Sequence, residues 1–423
     1  MRTLVQRSIL ALIGLLLLTP SVWAAGFSVY EHSAKASGMA GAWVAQADDA
    51  AANWYNPAAL IWLEDSEFQI GGNLITAGAD TEFTSSDASF GIFQETTFEM
   101  DSHIVTPVHL YYTHKLNNNF ALGIGVNTPF GLITDWVDRP VTFSASESEL
   151  ITFMVNANLA MRLTQNTAFA VGINYIDAEI TSFGREVPVD LDGNPFNGFE
   201  VIGSSNLTGT GDEIGWNVAL HHRGNGWNFG FSYRSDFTVT LDGNLDFENF
   251  GPLAPFFFDR TGTADLELPD QAAIGVSWQG GRGWTYEFDV SWQGWSVFDT
   301  LVIDIDDEIP GLVEDIVLRE DWDDVFAYRF GAQKTSGKNV YRFGVVYDEQ
   351  TVPNDTLRPS IPDADRWGPT IGYTRNNDKW SVDLYYFPLF FSDTSAVGTE
   401  EGVIQGEYTS SVNLAGATLR IRL

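Results

Sequence analysis

From about Ser66 to the C-terminus, hydrophobic side chains recur at every second position. Between Ile151 and Leu163 every odd residue is apolar: Ile151, Phe153, Val155, Ala157, Leu159, Met161 and Leu163. The even set includes Thr152, Asn156, Asn158, Arg162 and Thr164. Phe120-Leu122-Ile124-Val126 and Trp227-Phe229-Phe231-Tyr233 repeat the pattern against small or polar neighbours, as does Trp284-Tyr286-Phe288-Val290-Trp292. Such alternation puts the apolar residues on one face of a strand. Very short polar turns sit at Asn117–Asn119, Gln165–Asn166, Gly224–Gly226, Gly280–Gly283, Ser336–Lys338 and Asn376–Asp378. Between them lie long connections, roughly Ala77–Glu99, Leu132–Leu150, Ser182–Thr210, Asp242–Thr261, Asp306–Glu320, Thr351–Asp365 and Ser392–Gln405. Six short turns alternating with seven long connections predict fourteen strands. Outer-membrane barrels have that organisation, with short turns in the periplasm, long loops outside and an apolar face toward lipid. A soluble sandwich or lipocalin-like barrel would bury the same face and would not need strands this long. In the last strand Ala415, Ala417, Leu419, Ile421 and Leu423 share one face, although Leu423 stands where such barrels usually end on an aromatic residue.

The first residues have a different pattern. Arg2 and Arg7 precede the apolar run Ile9–Leu18, and Val22-Trp23-Ala24 offers a signal-peptidase site, so residues 1–24 are expected to be a cleaved secretory signal. Residues 25–65 hold nine Ala between Ala34 and Ala52 and show no alternation. Asp48 is placed to cap a short helix through Tyr55, ended by Asn56-Pro57. The apolar anchors Phe27, Trp43, Trp54, Tyr55, Leu60 and Trp62 favour a plug packed in the lumen over a periplasmic tail. The expected class is therefore all-β: a 14-stranded antiparallel transmembrane β-barrel over residues 66–423, with an N-terminal plug of short helices inside the lumen.

Composition removes other classes. Beyond the N-terminus no stretch reaches the ~18 consecutive apolar residues that a spanning helix needs. The absence of Cys excludes disulfides, Cys-ligated zinc and thiol catalysis. With 22 basic against 56 acidic residues, net −34, nucleic acid is not an expected partner. Removing the signal takes away two Arg and no acid, leaving 20 basic against 56 acidic groups.

The mature start Ala25-Gly26-Phe27, then Glu31-His32-Ser33-Ala34, Ala47-Asp48-Asp49-Ala50 and Tyr55-Asn56-Pro57-Ala58, resembles the bacterial outer-membrane long-chain fatty-acid transporters (FadL) and their aromatic-hydrocarbon uptake relatives. The likeness continues through Leu268-Pro269-Asp270, Trp292 to Ser296, Tyr328-Arg329-Phe330-Gly331 and Pro362 to Arg366. The resemblance implies a fourteen-stranded barrel closed by an N-terminal hatch. It implies transport without chemistry or cofactor: loops capture a hydrophobic substrate, the lumen binds it, and it leaves sideways through the wall. Long-chain fatty acids and aromatic or aliphatic hydrocarbons are then the ligands. Outer-membrane lipid, lipopolysaccharide and the barrel-assembly machinery are the other partners, and the protein is expected to be a monomer. A general diffusion porin is the alternative, and an outer-membrane lipase a third class for which no convincing Ser/His/Asp set is visible.

Candidate residues follow. The outer segment Asp246–Asp259 carries Phe247, Phe250, Leu253, Phe256, Phe257 and Phe258, a cluster suited to capture, or to packing the loop onto the barrel mouth. Pro129, Phe130 and Gly131 interrupt the third strand, since Pro removes a ladder donor and Gly marks a bend; otherwise the strand simply ends there. In the family this strand carries the kink that opens the wall. Phe27, Asn56, Pro57 and Ala58 make the hatch and gate set. Inward-facing Arg234 and Arg329 are candidates for a carboxylate head group, with Glu287 and Asp289 on the neighbouring strand as competing partners for Arg329. Asp304–Glu308 lacks the spacing and Gly of an EF-hand loop, and the adjacent His221 and His222 face opposite sides, so no metal site is expected.

Overall fold

In a bilayer every backbone donor and acceptor must find a partner within the protein, and a closed sheet does this with strands. The computed structural model describes residues 26–83, 96–189, 201–310, 313–400 and 402–423. The expected signal (1–24) and part of the first long connection lie outside the described residues. Fourteen staves follow in order: Glu67–Phe83, Val108–Lys115, Phe120–Asn127, Glu147–Arg162, Thr167–Val189, Val201–Arg223, Trp227–Arg234, Gln271–Gly281, Trp284–Gln293, Val325–Ser336, Asn339–Asp348, Arg366–Asn376, Trp380–Phe391 and Gly406–Arg422. Each pairs antiparallel with its neighbour, and the first meets the last from Glu67 opposite Arg422 to Thr81 opposite Tyr408, which closes the barrel. The six short turns lie at one end, beside the chain's C-terminus. The tightest, Gly281-Arg282-Gly283, has three successive positive φ angles (75°, 50°, 79°).

The outward face of the lower barrel is apolar: Ile124, Phe153, Ile173, Ile214, Ile274, Phe288, Phe330, Phe343, Ile371 and Leu419 are all exposed. Higher up, the wall changes character. The fifth and sixth staves are 23 residues each, roughly 75 Å of strand at ~3.3 Å per residue where 9–11 residues suffice to cross. Outward Tyr175 and Ile214 are cross-strand partners, and the next outward pair is Asp177 with Asp212. That step marks the upper edge of the hydrocarbon. Much of what reads as loop at Ser182–Thr210 and Asp242–Thr261 is therefore strand rising above the membrane, through Val189, from Val201, and over Phe237–Glu248 and Arg260–Leu268. Here the polarity is inverted. Phe237, Val239, Leu241 and Leu245 point inward and are buried, whereas Thr238, Thr240, Asp242 and Asn244 are exposed.

Residues 26–63 fill the lumen, nearly all of them buried. Two single-turn helices, Ala34–Ser37 and Ala52–Tyr55, and a 3-10 helix, Pro57–Trp62, are joined by turns that hold Ala40, Ala42, Ala45, Ala47, Ala50 and Ala51. Small residues on both sides let hatch and wall touch: a Cβ on Gly230 would lie 2.1 Å from the carbonyl oxygen of Val44, and one on Gly344 only 2.4 Å from the carbonyl carbon of Met39. Asp48 does not cap the second helix, which starts from Ala51; Asp48 instead bonds Lys35, and Asp49 accepts from the Ala51 N–H at 3.2 Å.

Candidate functional site

The hatch is held at three places. Asn56 caps the 3-10 helix by accepting from the Ala58 N–H (3.2 Å), with Pro57 at its first turn, where no donor is needed. Its amide nitrogen donates to the Val44 and Leu220 carbonyls (2.9 and 3.1 Å), joining two hatch segments to the sixth stave. Asn53 enters a cluster of wall carboxamides, donating to Asn156 Oδ1 at 2.7 Å and accepting from Asn158 Nδ2 at 3.0 Å. The third anchor is a pair of wall carboxylates. Asp289 accepts from the Trp43 and Val44 N–H groups (2.7 and 2.9 Å), and Glu287 from those of Ala45 and Gln46 (2.6 and 3.0 Å).

Those carboxylates thus serve the hatch rather than Arg329. Arg329 donates to the Ser291 hydroxyl, sits 3.8 Å from Asp348 and stacks 4.1 Å over the Tyr30 ring. Arg234 differs: it is buried, and no acid among the described residues is paired to it. Its guanidinium lies 3.6 Å over Trp54 and donates to Gln271 Oε1 (3.2 Å) and the Trp54 carbonyl (3.4 Å), while Nε has no partner. It lines a small, partly polar cleft with Asn217, Ser232, Gln271, Ser291 and Tyr30.

The N-terminal arm of the hatch crosses the lumen to the interrupted third stave. Beyond Asn127 that stave resumes at Gly131–Asp135, with Pro129 and Phe130 in the break. Phe130 is buried, and its backbone joins the arm: the Val29 N–H donates to the Pro129 carbonyl (2.8 Å), and the Gly131 N–H to the Phe27 carbonyl (2.9 Å). The second stave has left this edge. Its backbone ladder with the third stops at Leu110 opposite Val126 and returns at Asp101 and Met100, beside Asp135 and Trp136, where the His103 ring also lies 3.2 Å from Asp135 Oδ2. Both ends keep one register, so residues 102–109 and 127–134 form a seam across which the described residues make no backbone hydrogen bond. Ile104 and Val108 on its second-stave side are exposed.

Phe27 ends the arm in an aromatic floor, with ring centroids 4.8 Å from Trp295, 5.5 Å from Trp322, 6.1 Å from Phe298 and 6.1 Å from Phe130. Above it opens a nearly wholly apolar chamber of ≈ 890 Å³, mouth included, walled by Leu132, Leu150, Leu207, Leu241, Leu266 and Ile303 among others. Sequence reading found only Phe27 of this chamber. The available signal was the inverted alternation of the upper strands. Ile361, from the segment after Thr351, forms part of its wall, and that segment is tied down by Trp136 Nε1 donating to the Pro359 carbonyl (2.9 Å) and by Arg358 on Glu320 (2.8 Å). Burial pushes the Glu320 carboxyl up to about 7, against the pull of Arg358.

The outer Phe cluster divides. Phe250 and Phe257 are buried and stacked 3.8 Å apart, Phe247 and Leu253 are half-buried against them, and Phe256 and Phe258 are exposed. Arg260 holds this segment by donating to the Phe258 and Phe256 carbonyls at 2.7 and 3.3 Å. At the outer end of the thirteenth stave Phe387 and Leu389 point inward, whereas Phe390 faces out.

Taken together, the filled lumen, the dry chamber above it and the lipid-facing belt define a plugged outer-membrane barrel for apolar cargo. Comparison with known proteins places it further. Residues 15–423 match the family described as "Outer membrane protein transport protein (OMPP1/FadL/TodX)", and the chain belongs to that family. It is 26% identical over 424 residues to the long-chain fatty acid transport protein of Escherichia coli O6:H1, covering 90% of each chain, and 25% identical to that of strain K12 over 98% of each. The crystal structure of a Pseudomonas aeruginosa FadL homologue has the same fold, with a TM-score of 0.82 at 16% identity, covering 94% of this chain and 100% of that one. The Pseudomonas putida toluene transporter TodX gives 0.69 at 16% identity over 96% and 99%.

Proposed function

We propose that this protein takes up long-chain fatty acids or related hydrophobic compounds, monoaromatic hydrocarbons included, across the outer membrane without altering them. Phe256 and Phe258 offer the first apolar contact outside, the chamber above Phe27 holds the cargo, and Arg234 receives a carboxylate where one is present. Exit is sideways, through the seam between the second and third staves. One observation carries this reading: the seam keeps its register at both ends, yet between them the described residues make no backbone hydrogen bond across it, and the hatch arm occupies the vacated edge. A dry route matters because keeping about fifteen methylenes out of water is worth ~12 kcal/mol. Lipopolysaccharide outside, insertion by the barrel-assembly machinery and a working monomer go with this reading.

The test is closure of the seam. Continuing the register places Val108 opposite Thr128. The oxidised Val108→Cys/Thr128→Cys protein is expected to bind oleate normally but to lose uptake into cells, with recovery on reduction. Undiminished uptake by protein verified as cross-linked would mean that cargo drops to the periplasm instead.

A further inference from the structure

We propose that the periplasmic rim of the eighth to thirteenth staves is a binding site for anionic phospholipid head groups of the inner leaflet. The turns joining these staves and the strand ends beside them carry Arg282, Lys334, Lys338, Arg375 and Lys379 against a single acid, Asp378, a surplus of four positive charges in a chain of net −34. Arg282, Lys338, Arg375 and Lys379 are exposed, and Lys334 is half-buried.

These cations stand among outward rings. Lys334 Nζ lies 5.6 Å from the Trp284 ring, which stacks on Tyr286 (5.9 Å, 4° between planes). Tyr341 and Tyr373 pair at 5.6 Å, and Tyr373 Oη and Arg375 Nη1 both donate to Asn339 Oδ1 at 2.9 and 2.8 Å. The exposed Trp380 adjoins Lys379. Aromatic residues of this kind mark the level where hydrocarbon meets head groups. Basic side chains at that level reach phosphates, while acyl chains lie along the rings.

The rest of the rim lacks this chemistry. The turns at Asn117–Asn119, Gln165–Asn166 and Gly224–Gly226 carry no charge, and Lys115, at the lower end of the second stave, is half-buried on the face opposite the exposed Tyr112 and His114. Arg162 and Arg223 are turned into the mouth, 4.8 and 4.9 Å from the Trp62 ring, and Arg420 and Arg422 each sit 3.7 Å from Glu67. The outward positive charge is thus confined to consecutive staves. An acidic periplasmic protein would need only the turn tips, whereas a lipid uses both the cations and the adjoining rings. Zwitterionic lipid brings an ammonium that the cluster repels.

Native mass spectrometry of the intact protein in mild detergent, with equal amounts of phosphatidylglycerol and phosphatidylethanolamine, tests this. The wild type should retain the anionic lipid in roughly tenfold excess, falling as salt rises. The excess should vanish in the Arg282→Ser/Lys334→Gln/Lys338→Gln/Arg375→Gln/Lys379→Gln variant and persist in Lys115→Gln, with heat-modifiable migration confirming a folded barrel. Should the fivefold variant not fold, Lys338→Gln/Lys379→Gln at the turn tips is expected to reduce the excess. Equal retention of both lipids by the wild type, or an undiminished excess in a folded rim variant, overturns the proposal. So does binding of polyglutamate where phosphatidylglycerol fails to bind.

Discussion

Two buried arginines show how much a side chain's meaning depends on its neighbours. Arg329 has a hydroxyl, a carboxylate and a tyrosine ring around it, so its charge is already used within the protein. Among the described residues Arg234 has only a ring, an amide and a carbonyl, and one N–H without a partner. A buried cation so placed gains from an incoming carboxylate what it lacks at rest. Arg234→Met, which keeps the stem against Trp54, is expected to weaken oleate binding by about 2 kcal/mol, roughly thirtyfold in Kd, while leaving toluene binding unchanged. Equal losses for both ligands in equilibrium titrations would make the residue structural only.

At the scale of elements, the hatch is fastened at its middle and light at its start. Four successive N–H groups, Trp43 to Gln46, end on the side-chain oxygens of Asp289 and Glu287, and a buried N–H left without its acceptor costs about 1–3 kcal/mol. The arm at Phe27–Val29 is held by two ladder bonds and ring contacts. Removing the carboxylates should therefore loosen the whole plug. Glu287→Ala/Asp289→Ala is expected to conduct ions in planar bilayers in large, fluctuating steps while still migrating as a folded barrel. Silence from the folded variant would show that Asn56 and the Asn53 cluster suffice to retain the hatch.

For the molecule as a whole, a plugged barrel and a general porin differ in what crosses them. The hatch fills the lumen from Phe27 to Leu63, with nearly every residue buried. The wild-type protein should then give only small conductance steps, and large steady steps would restore the porin reading. Charge is also unevenly spread over the axis. Acids such as Asp177, Asp212, Asp242 and Asp304 lie on the outer wall above the hydrocarbon, while outward bases collect at the periplasmic turns.

Strand number, closure and the lower lipid belt were legible in the sequence because a strand's period of two records which residues share a face, and turn length records the side of the membrane. The plug was legible from its small residues and scattered aromatic anchors. Alternation does not say which face is inside, however. Over Phe237–Leu245 the apolar face turns inward, and only the position of that segment above the Tyr175–Asp177 step decides this. For the same reason the chamber was invisible: its walls come from strands far apart in the chain, brought to one level by register. Nor does sequence spacing reveal that Glu287 and Asp289 answer the hatch's N–H groups, or that no acid among the described residues pairs with Arg234. The chain by itself determined the barrel and its plug, because both rest on local patterning. The tertiary structure decided the seam, the dry chamber and the surroundings of Arg234, because each depends on which distant edges and side chains closure of the sheet sets opposite one another.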